Sequence, residues 1–481
     1  MNRRDFSKQV LVAGATARAA AHAQSGSKTY TEPAKELKTR SFDVVVAGGG
    51  TAGVVAAIAA ARQGAKTMLI EAKGYPGGTV TEGGTALHSY FNLWKAFPGV
   101  EKRHVVRGIP QEIIDRLARI NATSGHAEMS RGYDYDSVNT SIDTELYKLV
   151  AFEMLEEAGV FTAVNTLCVG AIMDGSTVLG AITESRSGRE AIWAKCFVDC
   201  TAYGDLSAHA GAKYSEPNDY AVCNSFSAGN VNIERMKEFL EENDALGNLA
   251  LGQRSGKDDQ IVRISGHTAK LPEGFHEGAR GIGMSMVTTT TIDDYFMFIK
   301  INTKMNVSPT NRDAVAKTEL ELRRRQYRGL ELFRRYIPGC ERAFIARTSP
   351  SLNIRRGRLI ECDYDITHED VVEGRHFDDD IMAYGFHDNA PRIQIKEGRT
   401  YGVPFRALRV AGIDNLMVSG MMITKDHRAH MSTRNTVCSM GQGQGTGTAA
   451  ALCSQKNCTT RELKYADLRE ALEKGGVYFE G

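Results

Sequence analysis

Hydrophobic and polar positions near the start of the chain predict a β-strand, an α-helix and a second β-strand in close succession. Residues 42–47 form a short apolar run rich in valine, typical of a strand buried on both faces in a parallel sheet. Residues 54–62 are rich in alanine and free of proline, which predicts a buried helix that Gln63-Gly64 ends. Residues 67–70 repeat the strand pattern and lead into Glu71. The pattern therefore predicts one β-α-β unit of a parallel sheet.

Three further strand patterns predict a β-meander. They cover residues 160–169, 178–185 and 191–199, and turn sequences rich in glycine and serine separate them. Strand character also appears at residues 282–291 and 415–420.

Three segments carry the pattern of helices. Residues 141–157 have an apolar stripe with Ser141 as the predicted N-cap, and residues 312–336 form a long amphipathic pattern. Residues 437–452 form the third, which is unusual for its glycines at Gly441, Gly443, Gly445 and Gly447. Glycine is less favourable than alanine inside a helix by about 1 kcal/mol, so four of them predict close backbone packing or a ligand at that point.

The loop between the first strand and its helix has the spacing G-x-G-x-x-G, formed by Gly48, Gly50 and Gly53. The first glycine permits a tight turn, the second lets backbone N–H groups approach a pyrophosphate, and the third lets helix and strand pack closely. The N-terminus of the helix favours negative charge. Glu71 lies about 20 residues after Gly50, where a carboxylate can bind a ribose hydroxyl and would repel the 2′-phosphate of NADP. This context predicts a dinucleotide site; the alternative is a glycine-rich turn in an unrelated α/β domain.

Composition and charge narrow the class of protein. The 481 residues are 42% hydrophobic and 24% charged, an ordinary globular composition for two or three domains. A net charge of +1 gives no support for nucleic acid or an anionic membrane as partner, and no apolar run is long enough to span a bilayer. The nine cysteines include no C-x-x-C pair, and Cys196 and Cys200 share a predicted strand at a spacing too long to bridge. We therefore predict buried thiols and no metal site.

The first residues predict a targeting segment. Arg3-Arg4 within Arg3–Lys8 resembles a twin-arginine export signal, a short apolar stretch follows, and Ala21-His22-Ala23 fits an A-x-A cleavage site. The expected location is the periplasm or another compartment reached by this route, after loss of residues 1–23. The alternative is the disordered, basic N-terminus of a cytoplasmic protein.

Both ends of the chain resemble one protein family. The β-α-β unit resembles the FAD-binding half of flavoprotein oxidoreductases with a glutathione-reductase-like fold, residues 199–205 resemble the second piece of that domain, and residues 412–420 resemble its closing piece. Most of residues 41–455 share the resemblance. Motifs farther along resemble the FAD-dependent oxidoreductases that are distantly similar to fumarate reductase flavoproteins; they are Thr318-Glu319…Arg323, Arg355…Arg358, Tyr401…Pro404…Arg406 and Asp426-His427…His430…Ser432…Arg434.

This resemblance implies a mixed α/β fold, in which a Rossmann-like FAD-binding domain with a β-meander carries an inserted substrate or cap domain. The expected segments are a signal peptide (1–23), a linker (24–40), the first part of the FAD domain (41–214), the cap domain (215–385), the closing part of the FAD domain (386–460) and a C-terminal helix and tail (461–481).

The resemblance also implies which residues hold a non-covalent FAD. They belong to glycine-rich loops and strand ends: Gly48, Gly50, Thr51, Ala52, Gly53, Glu71, Ala72, Gly77, Gly78, Thr79, Cys168, Val169, Thr201, Ala202, Gly204, Asp205, Gly420, Met421, Gly441, Gly443, Gly445 and Thr446.

Catalytic roles are expected for two histidines and three arginines. His427 or His430 would exchange the proton that accompanies hydride transfer, and Arg434 would hold a carboxylate or polarise an oxygen of the substrate. The alternative is that these side chains hydrogen-bond loops or the FAD phosphates. Arg355 and Arg358 would clamp an anionic substrate or serve as structural ion-pair partners of the many acids between Glu361 and Asp380.

Four positions depart from the family pattern. Arg356 stands where the subgroup has an acid, Met421 where it tends to have arginine, and Gly443 and Gly447 where alanines are usual. His88 is the nearest residue to a flavin-tethering histidine, but no clear match exists. The resemblance therefore leaves the chemistry beside the flavin open.

The expected function is hydride transfer between flavin N5 and a small organic substrate, with anionic substrates included, by a dehydrogenase or an alkene reductase. One alternative is a flavin monooxygenase, which would need NAD(P)H although no second G-x-G-x-x-G unit is evident. Another is a non-catalytic FAD-binding protein. The expected partners are the small-molecule substrate and an electron acceptor or donor; a homo-oligomer is left open, and neither nucleic acid nor a membrane span is expected.

The N-terminal motif generates the first testable prediction. Replacing both Arg3 and Arg4 by lysine should leave precursor in the cytoplasm, because the export pathway reads the arginine pair. Cell fractionation and N-terminal sequencing check this. Unchanged periplasmic recovery, or a mature chain that begins at Met1, would contradict it.

Overall fold

The computed structural model describes residues 29–83, 86–93, 99–132, 137–217, 220–387 and 393–479. The chain divides into two units, residues 1–38 and residues 39–481. In the first unit, residues 29–37 have no regular secondary structure. The predicted signal peptide lies outside the described residues. Apart from Lys38, the elements that follow belong to the second unit.

The strands are β1 (Lys38–Ser41), β2 (Val44–Ala47), β3 (Thr67–Ile70), β4 (Ala127–Arg131), β5 (Val138–Asn139), β6 (Phe161–Ala163), β7 (Leu167–Asp174), β8 (Thr177–Ser185), β9 (Gly188–Trp193), β10 (Cys196–Asp199), β11 (Tyr214–Ser215), β12 (Tyr220–Gly229), β13 (Leu246–Arg254), β14 (Lys257–Gly266), β15 (Val287–Thr289), β16 (Tyr295–Met305), β17 (Phe344–Thr348), β18 (Asn353–Ile354), β19 (Leu359–Ile360), β20 (Asp380–Tyr384), β21 (Tyr401–Pro404) and β22 (Leu416–Val418). The helices are α1 (Thr51–Arg62), α2 (Thr79–Gly83), α3 (Ile109–Arg119), α4 (Thr144–Glu157), α5 (Asp205–His209), α6 (Ile233–Glu242), α7 (Glu273–Ile282), α8 (Arg312–Tyr336), α9 (His368–Val372), α10 (His427–Thr433), α11 (Thr436–Lys456) and α12 (Tyr465–Lys474).

A five-stranded parallel sheet in the order β22-β10-β2-β3-β6 forms the centre of the second unit. Val44 pairs with Thr67 on one side and with Cys196 on the other. Every residue of β2, β3 and β10 is buried. Strands covered on both faces need apolar residues at successive positions, which is why these segments lack polar alternation. The predicted β-α-β unit is confirmed.

Helix α11 packs directly on α1, backbone against backbone. A Cβ atom added at Gly443 would lie 2.2 Å from the carbonyl oxygen of Ala52, and one at Gly447 would lie 2.1 Å from that of Ala56. Both distances are far below any van der Waals contact. These two helices can therefore approach so closely only with glycine at both positions, which accounts for the departure from alanine in the family pattern.

Strands β7, β8 and β9 form the predicted meander, and β1 extends it at the β9 edge. Two of the predicted strands were wrong in extent. Residues 160–169 divide into β6 and β7, because Asn165 adopts a left-handed conformation with φ 51°. Residues 191–199 divide into β9 and β10, which belong to different sheets. An apolar pattern that continues across such a break does not reveal it.

Two antiparallel sheets and helices α6, α7 and α8 surround a second hydrophobic core. One sheet has the order β16-β12-β17, with β18 also paired to β12, and the other has the order β15-β14-β13-β4-β5. Residues 127–139 thus contribute strands to a sheet made mainly by the predicted cap segment. Helix α8 has the predicted bounds, and the side chain of Asn311 caps it by accepting a hydrogen bond from Ala314 N at 3.1 Å.

Two local predictions were wrong. The N-cap of α4 is Asp143, whose carboxylate accepts hydrogen bonds from the N–H groups of Glu145 and Leu146 at 2.8 and 3.1 Å. Ser141 lies earlier, where its N–H donates to Ser124 Oγ. Residues 282–291 are not one strand, because Ile282 ends α7 and only β15 is extended.

All nine cysteines are free thiols, as predicted, and six of them are buried, while Cys168, Cys362 and Cys458 are partly exposed. No helix in the described part of the chain is long and apolar enough to cross a bilayer.

The contact between α1 and α11 generates a stability prediction. Gly443→Ala should lower the thermal unfolding midpoint, because overpacking costs about 1–3 kcal/mol and outweighs the gain in helix propensity of about 1 kcal/mol. Gly281→Ala is the matched control, since Gly281 lies in helix α7 with nothing within 4 Å of an added Cβ. A midpoint for Gly443→Ala equal to or above that of Gly281→Ala would contradict the close contact.

Candidate active site

One cavity of about 460 Å³ lies at the carboxyl ends of the parallel strands. Loops that follow β2, β3, β10 and β22 line it, through Gly48, Glu71, Thr201 and Gly420 among others. Ligands of open α/β sheets bind in this position, outside the carboxyl ends of the strands.

The glycine-rich loop forms one wall of this cavity. Gly48 has φ 97°, in the left-handed region that favours glycine. A Cβ at Gly53 would lie 1.8 Å from the carbonyl oxygen of Gly48, so Gly53 allows α1 to start against the end of β2. An added Cβ at Gly50 meets nothing within 4 Å and would project into open space. Gly50 is the N-cap of α1 and no side chain caps it, so the first N–H groups of the helix are available to an anion.

Glu71 is fixed at the end of β3. Its Oε2 accepts a hydrogen bond from Gly49 N and its Oε1 accepts one from Lys73 N, both at 2.7 Å. Burial raises the pKa of the Glu71 carboxyl, and the backbone hydrogen bonds from Lys73 and Gly49 oppose that shift. The backbone thus orients a carboxylate that lines the cavity where a ribose is expected.

The second core supplies the opposite wall. Cys223 of β12, Phe298 of β16 and the segment 352–355 line the cavity from that side. A polar cluster joins the two walls: Lys73 contacts Glu82 and lies 2.9 Å from Ser351 Oγ, which donates to Glu82 Oε2 at 2.8 Å. The cavity is therefore built from segments that are far apart in sequence.

The N-terminus of α11 reaches the same cavity. Asn435, Thr436 and Ser439 line it, and Asn435 caps the helix by accepting a hydrogen bond from Val437 N at 3.1 Å. A helix N-terminus carries partial positive charge. Two helices, α1 and α11, thus direct their positive ends to one cavity.

The predicted glycines of α11 lie outside this lining. Gly443 packs on Ala52, while a Cβ at Gly441 would meet the sulfur of Met382 at 2.4 Å and one at Gly445 would meet Ile381 at 2.4 Å. The Thr446 hydroxyl lies 2.8 Å from Ser419 Oγ. The structure places these residues where they hold α11 against α1 and β20.

The arginines predicted to be catalytic fall into two groups. Arg355 and Arg434 line the cavity. Arg358 does not, because its Nη1 donates to Asp205 Oδ1 at 2.8 Å and to the Tyr203 carbonyl at 3.0 Å. Arg358 thus forms a structural ion pair, but with Asp205 and not with one of the acids expected between Glu361 and Asp380.

Neither predicted histidine lines the cavity. His430 is 1% exposed, and burial first, then Arg434 and Arg356, lowers its pKa to about 3. It is therefore neutral near pH 7. His427 is exposed, and its Nδ1 lies 2.6 Å from Arg356 Nη1.

The predicted cofactor residues also divide into those that line the cavity and those that do not. Those in the lining are Gly48, Gly50, Thr51, Ala52, Glu71, Ala72, Gly78, Thr79, Cys168, Thr201, Ala202, Asp205, Gly420 and Met421. Those outside it are Gly53, Gly77, Val169, Gly204, Gly441, Gly443, Gly445 and Thr446.

Sequence reasoning missed much of the far wall. Among the described residues, His88 is the one histidine in the lining. Its closeness to the glycine-rich stretch 77–84 was the available signal, although Gly84 lies outside the described residues. The remaining lining residues that were missed include Lys73, Glu82, Thr166, Tyr203, Cys223, Phe298, Leu352, Asn353, Asn435 and Ser439.

The parallel sheet, the open cradle at Gly50 and the two-walled cavity define an FAD-binding oxidoreductase with a Rossmann-like domain and an inserted domain. The chain belongs to the family of FAD dependent oxidoreductases, which matches residues 43–472. It is therefore an enzyme, and its cofactor is FAD.

Two curated relatives match part of the chain. The tRNA uridine 5-carboxymethylaminomethyl modification enzyme MnmG of Dichelobacter nodosus is 29% identical over 207 residues, which are 41% of this chain and 30% of that protein. The same enzyme of Wolinella succinogenes is 27% identical over 214 residues, with shares of 41% and 31%. The chain thus spans less than a third of the length of these relatives.

Two solved structures cover most of the chain at low identity. A geranylgeranyl bacteriochlorophyll reductase-like protein of Thermoplasma acidophilum has a TM-score of 0.43 at 15% identity and covers 91% of this chain and 83% of its own. The anhydrotetracycline hydroxylase OxyS of Streptomyces rimosus has a TM-score of 0.46 at 10% identity, with shares of 91% and 65%.

The residues of the cavity fit FAD. The α1 N-terminus and the space above Gly50 suit the pyrophosphate, and Glu71 suits the adenosine ribose. At the N-terminus of α11, partial positive charge suits the flavin end.

This fit generates a binding prediction. Gly50→Val should abolish FAD binding, because the side chain would occupy the pyrophosphate position. The backbone at Gly50 has φ −67° and ψ −175°, which valine adopts without strain, so the variant should fold. Flavin released from the purified protein is measured by fluorescence, with Gly281→Val as the control that keeps FAD. Full FAD occupancy of Gly50→Val would contradict the assignment.

Proposed function

We propose that this FAD-dependent oxidoreductase transfers hydride between flavin N5 and a small organic substrate with an anionic group. When bound, FAD supplies the two-electron chemistry of hydride exchange. Oxidation of a C–H bond and reduction of an activated C=C bond both fit the site.

One observation carries the proposal: two arginines, Arg355 and Arg434, line the same cavity as the N-terminus of α11. A guanidinium group binds carboxylates through paired, charge-assisted hydrogen bonds. Phe298 and Leu352 add apolar surface to the same cavity. This combination favours a substrate with an apolar body and a carboxylate or enolate oxygen.

The charges around His430 support the same assignment. Burial together with Arg434 and Arg356 keeps the pKa of His430 low, so this ring adds no further positive charge beside the arginines. Its Nε2 lies 3.4 Å from the carbonyl oxygen of Arg355. We assign His430 a positioning role and His88, which lines the cavity, the exchange of the substrate proton.

Substrate is found by following the flavin absorbance of the purified holoenzyme, without oxygen, while candidate carboxylates are added. Bleaching by a carboxylate, or reoxidation of reduced enzyme by an unsaturated one, supports the proposal. Bleaching by NAD(P)H alone would favour the monooxygenase alternative, and no redox response to any compound would favour the non-catalytic one.

Arg434→Ala should lower turnover of the substrate so found by a factor of roughly 10²–10³, because loss of a charge-stabilising donor commonly costs about 2.7–4 kcal/mol in the transition state. FAD content should not change. Arg428→Ala is the matched control, since Arg428 lies exposed on α10, the helix that Arg434 caps at its C-terminus. Normal turnover of Arg434→Ala would move the substrate site to another part of the cavity, and loss of FAD would make Arg434 a cofactor residue.

A further inference from the structure

Three cysteines meet at the end of α11 that lies away from the cavity. Cys453 is in the last turn of the helix and is 2% exposed, Cys458 follows the helix end and is partly exposed, and Cys196 lies buried on β10. These cysteines lie roughly 25 Å from the N-terminus of α11, since an α-helix rises about 1.5 Å per residue.

The helix end brings Cys453 and Cys458 together. Asn457 adopts the left-handed conformation, with φ 49° and ψ 48°, and its N–H donates to the carbonyl of Cys453. The N–H of Cys458 donates to the same carbonyl at 3.2 Å. A helix that ends with these two hydrogen bonds brings the side chains of Cys453 and Cys458 close together. Standard bond lengths then keep the two Cα atoms within about 7 Å, the upper limit for a disulfide.

The thiol groups of Cys453 and Cys458 are close together, as the backbone geometry requires. Cys453 Sγ lies 3.7 Å from the carbonyl oxygen of Thr459, the residue after Cys458. A hydrogen bond with Cys196 and burial hold the pKa of the Cys453 thiol well above its usual range, and contact with Cys458 opposes that shift. Burial and the neighbouring Cys453 raise the pKa of Cys458 to about 11. Of these two neighbouring cysteines, Cys458 is the more exposed.

We propose that Cys453 and Cys458 form a reversible disulfide when the chain meets a low-molecular-weight disulfide. The thiolate of Cys458 attacks that disulfide, whose S–S bond breaks and releases one thiolate. Cys453 then attacks the Cys458 sulfur and releases the second thiolate. Two cysteines lose two electrons and two protons, and the oxidant becomes two thiols.

Cys196 stays reduced. Its thiol is buried and donates to the carbonyl oxygen of Asn415 at 3.4 Å. The disulfide joins the last turn of α11 to the segment that leads to α12, and the geometry of the cavity does not change. The inference does not depend on the proposed hydride transfer.

Oxidised glutathione added to the purified holoenzyme tests the pair. Trypsin cuts after Lys456, so the bridge appears as a linked pair of peptides, residues 435–456 joined to residues 457–461, about 2 Da lighter than their sum. After unfolding, two of the nine cysteines should escape alkylation. The rate should rise about tenfold per pH unit below pH 10, because thiolate is the attacking species.

Variants separate this bridge from its rivals. Cys453→Ala should trap glutathione on Cys458, Cys196→Ala should leave the bridge unchanged, and Cys362→Ala, at another partly exposed cysteine, is the control. FAD content should stay the same in the oxidised chain. A link between Cys196 and Cys453, a lasting glutathione adduct on Cys458 of the unmutated chain, or no reaction at Cys458 would each overturn the proposal.

Discussion

The close contact between helices α1 and α11 is the constraint on which the site depends. Gly443 and Gly447 let α11 approach the carbonyl oxygens of Ala52 and Ala56, and Gly53 lets α1 start against the end of β2. These contacts bring the N-termini of both helices to one cavity. Side chains at these positions would push the helices apart and separate the two positive ends.

The charges of the cavity follow from this arrangement. Two helix N-termini, Arg355 and Arg434 favour anions, and the backbone orients Glu71 on a different side through two hydrogen bonds. His430 remains neutral beneath the arginines because burial and their charge lower its pKa to about 3. The proposed positions of the FAD pyrophosphate, the ribose and an anionic substrate all rest on these charges.

Local sequence patterns were sufficient to predict those elements whose structure depends on residues close to one another in the chain. The spacing of Gly48, Gly50 and Gly53, the strand before it and Glu71 after it predicted the β-α-β unit and its ligand, and the family match confirms FAD. The amphipathic pattern of α8 gave both of its ends.

Contacts between distant segments could not be predicted in this way. The pairing of Arg358 with Asp205 and the wall containing Phe298 arise only when two cores meet. His427 and His430 are close in sequence to Arg434, which lines the cavity, yet the structure buries His430 in the interior and exposes His427 at the surface. The glycines of α11 were expected to mark either close packing or a ligand, and Gly441, Gly443 and Gly445 were assigned to the cofactor; the structure packs them against α1 and β20 instead.

The most direct test of the account is the flavin itself. Acid precipitation of the purified protein, followed by fluorescence of the supernatant before and after phosphodiesterase digestion, measures how much flavin is released and whether it is FAD. The account predicts FAD in the supernatant, close to equimolar with the chain. Absence of flavin, FMN alone, or flavin that stays on the precipitated protein would contradict a non-covalent FAD held between the N-termini of α1 and α11.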